Sequence, residues 1–341
     1  MRSKPRCLQQ FRPQQGGGVC RRVLLLLMAG CGVIFAAATQ RPVVCPWSAV
    51  DVHVDTESPV TLEGLSNVVM YHPDLVSGGS PGGALGFKAL SDLGVRTVIS
   101  VDGAIPDVEA AAQAGLRYVH LPVHYGGLSA DRHLQLARSC RDALRVGGVY
   151  VHCHHGQHRS AAAAAVAVLS LGWARTEDML ARMRVSGTSR HYAGLFESVE
   201  CAQPIPKHQL DAINADFPAV SRPAHMTELM VEMNHVLGHL ELIAAAQWQV
   251  PVKHPDLVPA AEAARLFDLY RRMRDVATRR SGDEHWRSAE QGGVQAAAAL
   301  ERLLTSGRVE VATCGARLAE IQASCQSCHS RFRDERRGES R

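Results

Sequence analysis

The chain has 341 residues, enough for two domains beyond a targeting segment. Hydrophobic residues make up 46% and charged residues 21%, the balance of globular cores and not of a disordered chain. The net charge of +4 comes partly from basic ends, so it gives no reason to expect nucleic acid as a partner.

The first 22 residues carry Arg2, Lys4, Arg6, Arg12, Arg21 and Arg22 with no acid, and Val23 to Ala38 is an apolar run ending in three alanines. A positive flank, a short apolar segment and small residues are the layout of an export signal. Residues 1–40 are therefore expected to be a signal peptide or a membrane anchor that places the protein in, or facing, the periplasm. Leu27 to Cys31 also loosely resembles a lipoprotein cleavage site, which leaves lipidation as a third option.

After a polar stretch, Leu75 to Pro81 predicts a short strand, a turn and a proline opening a helix that runs to about Leu93. A second strand is expected at Val95 to Val101, a helix from Asp107 to about Ala114, a third strand at Leu116 to Val123, and a helix from Ser129 to Val146. Strands alternating with helices imply an α/β domain with a largely parallel sheet covered on both faces.

The stretch Val149-Tyr150-Val151-His152-Cys153-His154-His155-Gly156-Gln157-His158-Arg159-Ser160, followed by the apolar run Ala161 to Leu171, then predicts a buried strand, a tight loop and a helix. Such a loop aims its backbone N–H groups at one point, and with the positive end of the helix they form an anion site. The same field stabilises a thiolate at Cys153, and Arg159 adds a planar fork for two phosphate oxygens.

Cys153, five residues, then Arg159, with His152 before, Gly156 within and Ser160 after, resembles the dual-specificity branch of the protein tyrosine phosphatases over about residues 70–200. The resemblance implies that Cys153 forms a phosphocysteine intermediate, that the loop His154, His155, Gly156, Gln157, His158 and Arg159 binds the phosphoryl group, and that Ser160 assists the leaving thiolate. It also implies an aspartate acid about thirty residues before the cysteine, where this chain has His124-Tyr125-Gly126-Gly127-Leu128. By spacing His124 is the catalytic candidate for that role, with Asp102 and Asp107 more distant; Asp107 also suits a helix cap. The loop histidines are expected to splay outward, and with His152 they have no established metal-ligand spacing.

From Cys201 the prolines at 204, 206, 218 and 223 predict a linker over residues 201–222. Beyond it, Met226, Leu229, Met230, Met233, Leu237 and Leu240 form a helical stripe, and Leu266, Leu269, Met273 and Val276 form another. A third helix from about Asp283 to Leu304 and a last one carrying Val311, Cys314, Leu318, Ile321, Cys325, Cys328 and Phe332 complete an expected four-helix bundle over residues 223–334.

The last helix carries Cys325-Gln326-Ser327-Cys328-His329, the C-x-x-C-H pattern of covalent haem attachment. The bundle resembles the cytochrome c-prime and low-spin class II cytochromes. That resemblance implies one covalent haem c on Cys325 and Cys328, His329 as the fifth iron ligand, and either Met230 as the sixth ligand or an open iron. Of the other cysteines, Cys45, Cys140, Cys201 and Cys314 show no disulfide framework.

Taken together, the sequence suggests an exported phosphoric monoester hydrolase acting on an unidentified phosphorylated substrate, joined to a haem domain for electron transfer or sensing with a redox partner. Two alternatives stay open: a haem carrier or sensor whose phosphatase fold only binds an anion, and sulfur-transfer chemistry at Cys153.

Overall fold

The computed structural model describes Trp47, Val50, Val52, His53 and residues 55–221, 226–276, 282–306 and 309–334. The expected export segment lies outside the described residues. Among the described residues no helix is long and apolar enough to cross a membrane.

Six strands form one sheet: β1 (Val60–Leu62), β2 (Leu65–His72), β3 (Leu75–Gly78), β4 (Val95–Ser100), β5 (Arg117–His120) and β6 (Gly148–His152), in the order β1-β2-β3-β6-β4-β5. The four strands from β3 to β5 run parallel, with β6 at their centre. The sheet as a whole is mixed, because β1 and β2 add an antiparallel edge where the sequence suggested a polar stretch. Gly64, in the left-handed region at φ +71°, makes the tight reversal between those two strands, and an added Cβ there would meet the backbone of Gly86.

Along the strands, side chains alternate between two apolar layers. Val149 and Val151 of β6 and Ile99 of β4 join the large core beneath α4 (Arg159–Ser170), which α3 (Ala130–Ala143), α5 (Thr176–Val185) and α6 (Ala193–Glu200) surround. Helices α1 (Gly83–Asp92) and α2 (Val108–Gln113) pack against β4 and β5. Capping residues set two starts: Ser129 accepts from the Arg132 N–H, and Asp107 accepts from the Ala110 N–H at 3.0 Å.

The proline-rich stretch is not a free linker. It contains a short helix, α7 (Lys207–Ala212), and Pro218 accepts the His120 N–H at 2.9 Å, extending the hydrogen bonding of β5. Cys201 is disulfide-bonded, contrary to the expectation from the sequence.

The remaining helices α8 (Met226–Ala245), α9 (Pro259–Val276), α10 (Glu284–Thr305) and α11 (Val311–His329) pack in sequence, and α11 returns against α8. A π-helical turn, Ser330–Asp334, follows α11. The apolar core is continuous from the sheet domain into these four helices, so the two halves share one interior.

All twelve residues of α4 are buried, which explains its run of alanines: only a methyl side chain lets this helix lie close to the sheet and to three neighbouring helices. Ala163→Leu should therefore destabilise the protein by about 1–3 kcal/mol through overpacking, read as a lower denaturation midpoint with an unchanged slope.

Candidate active site

Cys153 follows β6 directly, and Arg159 opens α4, so the five residues between them must turn within one loop. Gly156 makes that turn at φ +77°, and a Cβ there would collide with the backbone of Gly78 and Gly79. The loop's carbonyls are tied outward. His154 O accepts from Ser80 N at 3.0 Å, Gly156 O from the Asn67 side-chain amide at 3.0 Å, and Gln157 O from the Thr188 hydroxyl at 2.5 Å.

Among the described residues, the backbone N–H groups from His154 to His158 donate to no backbone carbonyl. A cluster of unanswered donors at the mouth of a helix N-terminus attracts an anion. Cys153 stands at its base, 3% exposed, with its thiol donating to the Ser160 hydroxyl at 3.3 Å. That hydroxyl donates its hydrogen to Gly78 O at 3.3 Å; rotated toward the sulfur, the same O–H would donate to a thiolate.

Behind the loop, His152 meets the Tyr118 hydroxyl at 2.6 Å, and burial pushes its pKa down to about 4, which keeps the ring neutral. The loop histidines do not all splay outward as expected. His158 turns in against the Tyr192 ring at 4.5 Å and accepts from Ser189 N, while His154 and His155 lie against Phe267 of α9. Burial lowers the pKa of His154 and of His158 to about 3 each.

Arg159 is 1% exposed and its guanidinium is almost fully engaged. Its Nη1 donates to Asp268 Oδ2 at 2.5 Å, and its Nη2 to Asp268 Oδ1 at 3.1 Å and Asp102 Oδ1 at 3.2 Å. Arg159 Cζ stands over the Tyr125 ring, 4.4 Å from its centre, while Nε has no partner among the described residues. Arg271, on α9 like Asp268, donates to both oxygens of Asp102 at 3.0 and 2.9 Å.

Asp102 is thereby excluded as a proton donor. Burial alone would raise its pKa, but Arg159 and Arg271 outweigh that and hold the carboxyl well below the usual range. Its backbone is fixed too: Ser221 N donates to His120 Nδ1, which leaves Nε2–H to donate to Asp102 O at 2.9 Å. Asp107 caps α2 and takes no part in the site.

His124 shares with Arg159 and Asp268 a cavity of about 190 Å³, also lined by Arg132, Arg265 and Arg272. Burial, with Arg265 nearby, pushes its pKa below that of a free histidine, so its ring is mostly neutral at pH 7.

The haem-motif residues meet in a second cavity. Met230, Met233, Tyr270, Cys325, Cys328 and His329 line a space of about 210 Å³ among α8, α9, α10 and α11. Tyr270 and Cys325 are within 3.4 Å through their hydroxyl and sulfur atoms.

A parallel strand leading into a thiol, a loop whose N–H groups have no backbone acceptor among the described residues, and an arginine at the start of the next helix define a class of site: an oxyanion cradle built around a cysteine. No family model and no curated protein matches the chain. Among solved structures it is similar to TpbA of P. aeruginosa, at 26% identity over 40% of this chain and 86% of that one, with a TM-score of 0.37. It is also similar to a putative phosphatase (DUF442) of Shewanella putrefaciens, at 23% identity over 41% of this chain and 95% of that one, TM-score 0.34. For human DUSP28 the identity is 25% over 45% of this chain and 94% of that one, TM-score 0.27. Each match covers less than half of the chain.

Nothing in the sequence singles out Asn67. It sits in the left-handed region at φ 54°, and its amide bridges Gly156 O and Ser186 O across 89 and 119 positions. Asn67→Ala should cost about 1–3 kcal/mol by stranding two carbonyls. It should also weaken binding of inorganic phosphate, measured by calorimetry beside thermal unfolding.

Proposed function

We propose that the sheet domain is a cysteine-dependent phosphatase and that the helical half holds a covalent haem c. The observation that carries the first part is that Cys153 and Arg159 flank a loop between β6 and α4 whose N–H groups have no backbone acceptor among the described residues. In this mechanism the Cys153 thiolate attacks phosphorus, an S–P bond forms and the ester P–O bond breaks. Backbone N–H groups and Arg159 hold the charge on the equatorial oxygens. Water then attacks phosphorus, the S–P bond breaks with its electron pair returning to sulfur, and phosphate leaves as dihydrogen phosphate carrying both protons of the water.

His124 is the proposed donor to the leaving oxygen, through its N–H in the cavity beside Arg159. A neutral imidazole is a weak acid, so the enzyme should favour esters whose leaving groups need little protonation. Aryl phosphates should be hydrolysed far faster than alkyl phosphates, and His124→Ala should slow the alkyl esters more. Cys153→Ser should abolish turnover, and rapid-quench mass spectrometry should find a phosphoryl adduct on Cys153 in the wild type. Turnover without that adduct would overturn the mechanism.

The haem proposal is supported by the second cavity, a mostly apolar space lined by Cys325, Cys328, the adjacent His329 and Met230 from α8. Cys325 and Cys328 would hold the porphyrin by thioether bonds, with His329 as the fifth ligand and Met230 as the sixth. The group would supply one-electron transfer or gas sensing. Export fits both this attachment and the disulfide at Cys201, since disulfides persist in oxidising compartments. Haem should stay with the denatured chain, and Met230→Ala should turn a low-spin spectrum high-spin; haem extracted by acidic organic solvent would end the proposal.

A further inference from the structure

We propose that α9 carries a built-in occupant of the anion site: the Asp268 carboxylate takes the arginine fork that a phosphoryl group needs, holding the site shut until it is displaced. This rests on Cys153 and Arg159 being a phosphoryl-transfer pair.

The contact has the form of ligand recognition. A guanidinium presents the same planar pair of N–H groups to a carboxylate as to a phosphate, and Asp268 engages it with both oxygens. With Asp102 on Nη2 as well, only Nε is left without a partner. A phosphoryl group that needs two donors from Arg159 must therefore displace a carboxylate.

Orientation of Arg159 does not require Asp268. Asp102 belongs to the same sheet domain as the arginine, is fixed through the Gly103 N–H and His120, and already grips Nη2. Asp268 comes from the other half of the molecule, 109 positions along the chain.

Charge argues the same way. Arg159 and Arg271 face Asp102 and Asp268, so an incoming dianion meets a cluster whose formal charges cancel. Without Asp268 the cluster would carry one net positive charge. The side chains of Arg159 and Asp268 are only 1% and 11% exposed, so their attraction is little screened by water.

The rest of α9 closes over the loop with Asp268. Phe267 covers the His154 and His155 rings, with centroids 5.7 and 6.4 Å away, and Asp275 accepts the Ile105 N–H at 2.9 Å. Asp268, Arg271 and Asp275 are spaced three and four apart, one face of a helix that meets Arg159, Asp102 and the Ile105 N–H.

The test uses the full-length, haem-loaded protein and its Asp268→Asn variant, which keeps the shape and removes the charge. The variant should hydrolyse p-nitrophenyl phosphate with a kcat/KM at least about tenfold higher, through KM, because apparent affinity scales with the open fraction. Inhibition by inorganic phosphate should tighten by the same factor. Equal or lower kcat/KM in a folded variant would overturn the proposal, the lower value making Asp268 a positioning residue instead.

Should neither protein hydrolyse the ester, calorimetry of inorganic phosphate with Cys153→Ser, alone and combined with Asp268→Asn, separates the two ideas. Tighter binding by the double variant sustains the occupant while the phosphatase assignment fails; equal or weaker binding overturns it. Hydrogen exchange on the wild type needs no variant to fold. Saturating phosphate should speed exchange in residues 259–276, and unchanged exchange there would overturn the proposal.

Discussion

The structure depends on a constraint that acts on backbone, not side chains: the carbonyls of His154, Gly156 and Gln157 in the loop after Cys153 are held by donors outside it. Three distant donors enforce it, Ser80 from the turn after β3, Asn67 from β2 and Thr188 from the segment after α5. Each lies in a different layer of the domain, so the sheet, its antiparallel edge and the helical cover all have to be in place before the N–H groups can converge. Gly156 is required for the same reason, because the backbone of Gly78 and Gly79 fills the space a side chain would take. An oxyanion bound there is held by groups whose positions the whole domain has fixed in advance, which is the condition for electrostatic stabilisation of a transition state.

Helix α9 ties that cradle to the other half of the protein. One side of it brings Phe267 against His154, Asp268 to Arg159, Arg271 to Asp102 and Asp275 to the Ile105 N–H. Leu266, Tyr270 and Met273 from the same turns line the cavity of Cys325, Cys328 and His329. An α-helix is a stiff rod with a rise of about 1.5 Å per residue, so residues one turn apart move together. A displacement of Tyr270 by a bulky group in the second cavity is thus also a displacement of Asp268.

How much of this the sequence disclosed follows from distance along the chain. The strand, loop and helix from Val149 to Leu171 are local, and β6, the cysteine and the arginine stand where a strand-favouring run followed by alanines puts them. The four stripes after residue 226 are local too, and α8 to α11 follow them. Edge strands β1 and β2 were hidden because β1 is only Val60-Thr61-Leu62 and because Ser66 and Asn67 interrupt the apolar residues of β2; their strand character comes from pairing, β1 with β2 and β2 with β3. Asn67 and Asp268 were hidden for a stronger reason: each meets its partner across 89 or more positions, and no periodicity or spacing records such a meeting. His158 reads as a solvent-facing loop residue until Tyr192, 34 positions later, provides the ring that covers it.

The stretch expected as a loose linker has a further effect. Arg138 Nη1 donates to Leu210 O at 2.9 Å, Pro218 accepts from His120, and the Ser221 hydroxyl donates to His120 O at 2.7 Å, all before α8 begins at Met226. The chain is pinned to β5 only a few residues before the bundle starts, so the bundle has little freedom to wander from the cradle. In the language of tethered ligands, the Asp268 carboxylate has an effective concentration on the order of millimolar or more at Arg159, set by covalent geometry and independent of how much protein is present. A soluble anion competes against that number and not against water. The same two halves supplied as separate chains would meet only by diffusion, and at micromolar concentrations would lose the advantage that the pinned strap confers.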